Sequence, residues 1–135
     1  HFWANERQVT HMVSFDGFVI DDKSPIYMQI IRYIKRGIAA GVIKNQEEIP
    51  SRRMLASLLG VNPNTVQKAY HMLEEENLIE SRSGAKSCIA ADEERVAEIR
   101  KSIMEEDAVA AVKSMQALGI TKAEAVALID KYWQE

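Results

Sequence analysis

Thiol and imidazole are scarce: the 135 residues hold one cysteine and three scattered histidines. Cys88 therefore has no partner for an internal disulfide, and no Cys/His spacing of the kind that holds a metal occurs. No apolar run approaches the roughly 20 residues a membrane-spanning helix needs, and no signal-peptide pattern is present. A nucleophile–base pair and a phosphate-cradling loop are also lacking, so nothing points to an enzyme, and no cofactor or metal is expected. Together these absences imply a reducing, cytoplasmic setting without a membrane partner. Positive charge is not in excess either, since the formal net charge is −3.

That last absence dissolves when the chain is divided. Residues 24–91 hold nine Lys/Arg against six Asp/Glu, a balance of +3, while residues 92–135 hold six against ten and residues 1–23 two against four. Basic charge is concentrated on one segment, and a local basic surface is what phosphate binding requires. Apolar content is ordinary, and the length suits one modest domain, or a small one with a helical appendage.

The basic segment contains the stretch IPSRRMLASLLGVNPNTVQKAYHMLEEENLI, residues 49–79. Ser51 is placed to cap a first helix with Leu55, Leu58 and Leu59 at apolar spacing. Gly60 stops it, because glycine enters a left-handed turn without steric cost. Asn62 caps a second helix and Pro63 takes its first turn, where a missing N–H is harmless. Val66, Ala69, Tyr70 and Leu73 form an inner stripe, leaving Asn64, Thr65, Gln67 and Lys68 outward. Two helices about such a turn predict a helix-turn-helix, whose second helix can enter a DNA major groove. Asn and Gln can bond base edges, and Lys and Arg can neutralise phosphates. Glu74, Glu75 and Glu76 would repel phosphate, so they are expected on a solvated face turned away from DNA. Asn77 should end the helix in a left-handed conformation.

This stretch resembles the GntR family of bacterial transcription regulators. The family's Pro-Ser-x-Arg-x-Leu-Ala start appears as Pro50, Ser51, Arg52, Arg53, Met54, Leu55, Ala56, and Gly60, Val61, Thr65, Val66, Ala69, Tyr70 and Leu73 continue the pattern. The form NPNTVQKAY with a short C-terminal part looks most like the YtrA-type subfamily. Upstream, Pro25, Ile26, Tyr27, Gln29 and Ile30 match the family's Pro-Ile-Tyr-x-Gln-Ile.

Around this centre the chain reads in order. Residues 1–11, which precede Met12, are expected to be vector-derived, with Met12 the native start. Residues 12–23 make an arm in which Phe15, Phe18 and Ile20 pack on the first helix or on a partner subunit, as a short strand or a packing arm. Ser24 and Pro25 read as a cap and first helical residue, and Tyr27, Ile30, Ile31, Ile34 and Ile38 as the inner face, ended by Gly41. Leu78 to Ala90 reads as two short strands about the turn Ser83-Gly84-Ala85, the wing of a winged helix, with Arg82 and Lys86 bracketing the turn. Here the chain departs from its relatives, which carry a second Gly and an aromatic where Ala85–Cys88 stand. Cys88 is read as a small core residue.

From Asp92, Val96, Ile99, Ile103, Val109, Val112 and Met115 trace an apolar stripe stopped by Gly119. Thr121 and Glu124 form a capping box for a final helix with Ala125, Leu128, Ile129, Tyr132 and Trp133 inside. Two such helices cannot bury both stripes against each other, so a second subunit is expected to cover Val109, Val112, Leu128, Ile129, Tyr132 and Trp133.

The expected fold is thus mainly α with a small β-wing: a winged helix-turn-helix over residues 24–91, followed by two C-terminal dimerisation helices over residues 92–135. The resemblance implies a homodimeric regulator, a repressor, on a pseudo-palindromic double-stranded DNA operator. By position it implies DNA contacts at Arg53, Asn62, Asn64, Thr65 and Gly84. Gln67 stands where some relatives have Arg, and Arg52 where members vary, with a phosphate role. Lys68, Arg82 and Lys86 join them as basic groups. The alternative is a winged helix used for protein contact, which would lack salt-dependent DNA affinity. A small-molecule effector stays open, because about 45 residues after the wing are too few to enclose a pocket of ~300 Å³ in one subunit.

Overall fold

The computed structural model describes residues 12–82 and 86–134. The expectations for residues 1–11 and for the turn at 83–85, Gly84 included, lie outside the described residues. The remainder forms two compact units, one ending at Arg100 and the other beginning at Lys101.

The first unit is built on helix α1, Ile26–Ala39, whose Ile30, Ile34 and Ile38 are buried. Its start differs from expectation by one residue: Pro25 is the cap and Ser24 makes no side-chain cap. The Ser24 carbonyl is instead held by Gln29, whose Nε2 donates to Ser24 O at 2.7 Å and to Asp21 O at 2.9 Å. Asp21 N returns a bond to Gln29 Oε1 at 3.0 Å. One buried carboxamide thus ties the arm to the helix.

Around Phe15 and Phe18 the arm is a turn, not a strand, with Phe18 N donating to Phe15 O at 3.0 Å. Of the two docking sites expected, the first helix is the one observed: the Phe15 ring stacks on Tyr33 at 4.9 Å between centroids, and Phe18 meets Tyr33 edge-on at 5.3 Å. Ile20 stays exposed.

Strand β1, Glu48–Ile49, leads into helix α2, Arg52–Leu59, and helix α3, Pro63–Glu75. Strands β2, Ile79–Ser81, and β3, Ser87–Ile89, follow in the order β1-β3-β2. The wing hairpin pairs Ile79 with Ile89 and Ser81 with Ser87, and β1 adds the pair Glu48 with Cys88, all antiparallel. Cys88 is buried, as a small core residue should be.

Ile30, Ile34, Leu55, Val66, Ala69, Tyr70, Leu73, Leu78 and Ile89 are all fully buried where helices and sheet meet. Each large aliphatic side chain removed from water here contributes about 1.5–3 kcal/mol before entropy is counted. Leu58 departs from expectation, at 66% exposed. At 3.6 residues per turn Leu55, Leu59 and Ala56 share one arc, and Leu58 falls just outside it.

Helix α4, Glu93–Ala117, is one unbroken run of 25 residues. Its first turn is capped by Asp92 Oδ1, which accepts from Arg95 N at 2.8 Å. Gly119, at φ 76°, permits the left-handed turn after it. Helix α5, Lys122–Tyr132, opens with both halves of the Thr121/Glu124 capping box and has no buried residue. Hydrogen bonds from Thr121 hold the Glu124 carboxyl below its ordinary pKa. Among the described residues, no helix is long and apolar enough to cross a membrane.

Candidate nucleic-acid interface

Local chemistry sets the helix pair. Ser51 Oγ accepts from Met54 N at 3.1 Å, opening α2. Gly60, at φ 67°, closes it, and Val61 N reaches back to Ala56 O at 3.0 Å. Asn62 Oδ1 accepts from Asn64 N at 2.8 Å, and Pro63 occupies the first turn of α3. Asn77 ends this segment at φ 61°, in the left-handed conformation expected of it.

The inner stripe of α3 is dry: Val66, Ala69, Tyr70 and Leu73 are each 0% exposed. Opposite it, Asn64, Gln67 and Lys68 are exposed and Thr65 is half-buried, with Asn62 exposed at the cap. The uncapped N–H groups and positive dipole end of α3 lie at this same end. Arg53 is exposed on the first turn of α2.

Lys68 is stationed over an aromatic face, its Nζ 4.1 Å from the Tyr27 ring centroid. Arg52 has turned inward. Its Nη2 binds Glu74 Oε1 at 3.1 Å, its guanidinium lies 5.2 Å from the centre of the Tyr70 ring, and its Nε is buried without a hydrogen-bond partner among the described residues. Tyr70 Oη donates to Pro50 O at 2.7 Å. Burial pushes the phenol pKa well above its ordinary value, against a smaller downward pull from Arg52, so the hydroxyl remains a donor.

The acidic run does not simply face solvent, as the sequence suggested. Glu74 holds Arg52, Glu75 faces His71 at 3.5 Å, and Glu76 Oε1 meets Lys35 Nζ at 2.9 Å. Two of the three carboxylates therefore link α3 to other helices. They do so at the end of α3 remote from Asn64, which keeps negative charge off the polar face.

In the wing, Arg82 N donates to Lys86 O at 2.7 Å, closing the hairpin below its turn. The Arg82 guanidinium is bound to Gln46 and lies 3.4 Å from Glu80 Oε1. Lys86 is exposed. Gln46 itself adopts φ 75°, a conformation uncommon outside glycine and one that the sequence did not announce. The helix-turn-helix and the wing strands belong to one compact unit. Within it Arg53 lies on the first turn of α2, Asn62, Asn64 and Thr65 at the start of α3, and Gln67 and Lys68 in the turn that follows. Val109, Val112, Leu128, Ile129, Tyr132 and Trp133 lie in the second unit and are exposed.

Comparison with known proteins agrees with this geometry. The sequence pattern described as "Bacterial regulatory proteins, gntR family" matches residues 26–87. The chain is 46% identical over 67 residues to the HTH-type transcriptional repressor YtrA of Bacillus subtilis, covering 48% of this chain and 52% of that relative. It thus spans about half of that protein's length. To the HTH-type transcriptional regulator YhcF of the same organism it is 35% identical over 100 residues, covering 74% of this chain and 83% of the relative. A solved GntR family transcriptional regulator from Listeria monocytogenes superposes with a TM-score of 0.73 at 33% identity, covering 84% of this chain and 100% of that one. These relatives are regulators of transcription, not enzymes. The chain belongs to the GntR family of bacterial DNA-binding transcriptional regulators.

Proposed function

We propose that the protein is a transcriptional repressor that binds a pseudo-palindromic operator as a homodimer. The observation that carries this reading is the sidedness of α3, where exposed Asn64, Gln67 and Lys68 stand over a stripe of fully buried residues. Such a helix is held rigidly while its polar face stays free for base edges in a major groove. Asn64 and Gln67 read bases, Thr65, Asn62, Arg53 and Lys68 hold the backbone, and Arg82, Gly84 and Lys86 bring the wing to phosphate or a minor-groove edge. Arg52, engaged by Glu74, serves the helix pair in the free protein and is the least available of the basic groups.

Dimerisation is supported by the C-terminal unit. Tyr132 and Trp133 are 68% and 74% exposed, and Val109, Val112, Leu128 and Ile129 are each near half exposed. Apolar surface of this extent on one small unit suits coverage by a second copy. The repressor sign rests on the likeness to a relative named as a repressor. Selection of bound DNA from a random pool tests the proposal: enrichment of an inverted repeat supports it, and a pool that stays random overturns it.

A further inference from the structure

Lys35, Arg52 and Arg95 each face a carboxylate, at Glu76, Glu74 and Glu98 respectively, between 2.9 and 3.2 Å away. Lys68 is held differently. Among the described residues no carboxylate lies within ion-pair distance of it. Its Nζ sits instead 4.1 Å from the centre of the Tyr27 ring. Tyr27 belongs to the first turn of α1 and was expected on its inner face, yet it does not join the core. Ile30, Ile34 and Ile38 are at most 1% exposed, whereas Tyr27 is half-buried and keeps part of its ring face open. Lys35 meets Glu76 eight residues further along both helices. Thus α1 and α3 lie side by side in the same sense, and the start of α1 falls beside the first half of α3. Side chains lean toward the N-terminus of their helix. For Lys68 that is the end of α3 at which Asn64 is exposed.

The kind of partner decides what Lys68 can still do. A carboxylate would neutralise the ammonium and occupy its donors. A ring face attracts the cation through its quadrupole and leaves the charge and the N–H donors open to a second partner. An unrestrained lysine must also freeze several side-chain torsions when it meets a phosphate. One already stationed on a ring has part of that ordering behind it. We propose that Tyr27 is a positioning residue for DNA binding, whose ring stations the Lys68 ammonium for a backbone phosphate beside α3. The inference rests on the reading of Lys68 as a backbone contact. It adds to that reading a residue from a different helix, one that carries no charge and reaches DNA only through Lys68.

The test is a double-mutant cycle in the full chain, with Tyr27→Leu, Lys68→Met and the two combined. Each protein is titrated against a duplex enriched from the random pool and against a duplex of scrambled sequence, with circular dichroism to confirm folding. Lys68→Met should weaken both duplexes about equally and lower the salt slope by about 1 per bound subunit. Tyr27→Leu should weaken both by about two- to fivefold per bound subunit, the loss expected of one partly exposed cation–π contact. In the Lys68→Met background the same change should alter affinity by under about 1.5-fold, because its partner is gone. Tyr27→Phe, which keeps the ring face and drops the hydroxyl, should bind within about twofold of wild type. If Tyr27→Leu does not fold, the ring-current shift of the Lys68 side-chain protons in the wild-type DNA complex decides instead. A shift kept on binding supports the inference, and one lost on binding overturns it. Equal losses from Tyr27→Leu in both backgrounds overturn it, because the ring would then act on the fold alone. Tighter binding by Tyr27→Leu overturns it too, since the ring would be holding Lys68 away from DNA. A costly Lys68→Met beside a silent Tyr27→Leu overturns the inference and leaves the Lys68 contact standing. A Lys68→Met chain that binds as wild type does overturns that contact, and this inference with it.

Discussion

The Tyr70 hydroxyl, on the buried side of α3, donates a 2.7 Å hydrogen bond to the carbonyl of Pro50, just before α2 begins. One bond thus joins the residue that precedes the helix-turn-helix to the middle of its second helix. Tyr70→Phe keeps the ring but strands a buried carbonyl, which should lower unfolding free energy by about 1–3 kcal/mol in a urea titration. The sign of a second effect follows from the raised Tyr70 pKa. A group whose folded pKa lies above its ordinary value of 10.0 gives full stability below that pH and loses it as pH rises further. Wild type should therefore weaken above about pH 10 more steeply than Tyr70→Phe. Parallel alkaline limbs would show that the hydroxyl is not held in this way.

Recognition is tested at Asn64, exposed one turn from the dry stripe of α3. Asn64→Ala should cost about 1–3 kcal/mol on the preferred site and flatten discrimination at one base pair per half-site. Anisotropy titrations against single-base operator variants measure both quantities. A variant that binds every duplex as wild type does would remove Asn64 from the readout.

The wing calls for a different measurement. Lys86 is exposed beside the hairpin closure made by Arg82 N and Lys86 O. Lys86→Ala should weaken all sequences about equally and reduce the slope of log affinity against log salt by about 1, as for one lost phosphate contact. An unchanged slope would place the wing off the DNA.

How much of this was legible beforehand depended on range. Ser51, Gly60, Asn62 and Asn77 act on backbone within a few residues, and their roles followed from residue type and spacing. The stripe Val66, Ala69, Tyr70, Leu73 was equally plain, because helical period is a local signal. Strand β1 was not, since its two residues pair with Cys88 and Ser87 far along the chain and carry no period of their own. Glu74 and Glu76 read as solvated acids for the same reason: their partners Arg52, Lys35 and Arg95 come from other elements. Arg52 itself sits in the family's motif, yet only the fold brings Tyr70 and Glu74 to it. The wing tip at Gly84, read from the sequence, lies outside the described residues.

Assembly can be probed without touching the helices proposed to face DNA. Ile129 on α5 is 45% exposed in the single chain, so a charge there is tolerated by the isolated subunit. In a dimer interface the same charge would be an unpaired buried carboxylate, costing several kcal/mol. Ile129→Asp should therefore shift sedimentation at micromolar concentration from dimer to monomer while circular dichroism keeps its helical signal. Operator affinity should fall with it, by roughly 10²–10⁴, because two half-sites are no longer engaged by one tethered pair. Affinity for a single half-site should hold, since Asn64 and its neighbours belong to the other compact unit. An Ile129→Asp chain that remains dimeric would move the interface elsewhere on α4 and α5. A wild-type chain that is monomeric and still binds one half-site tightly would end the dimer proposal.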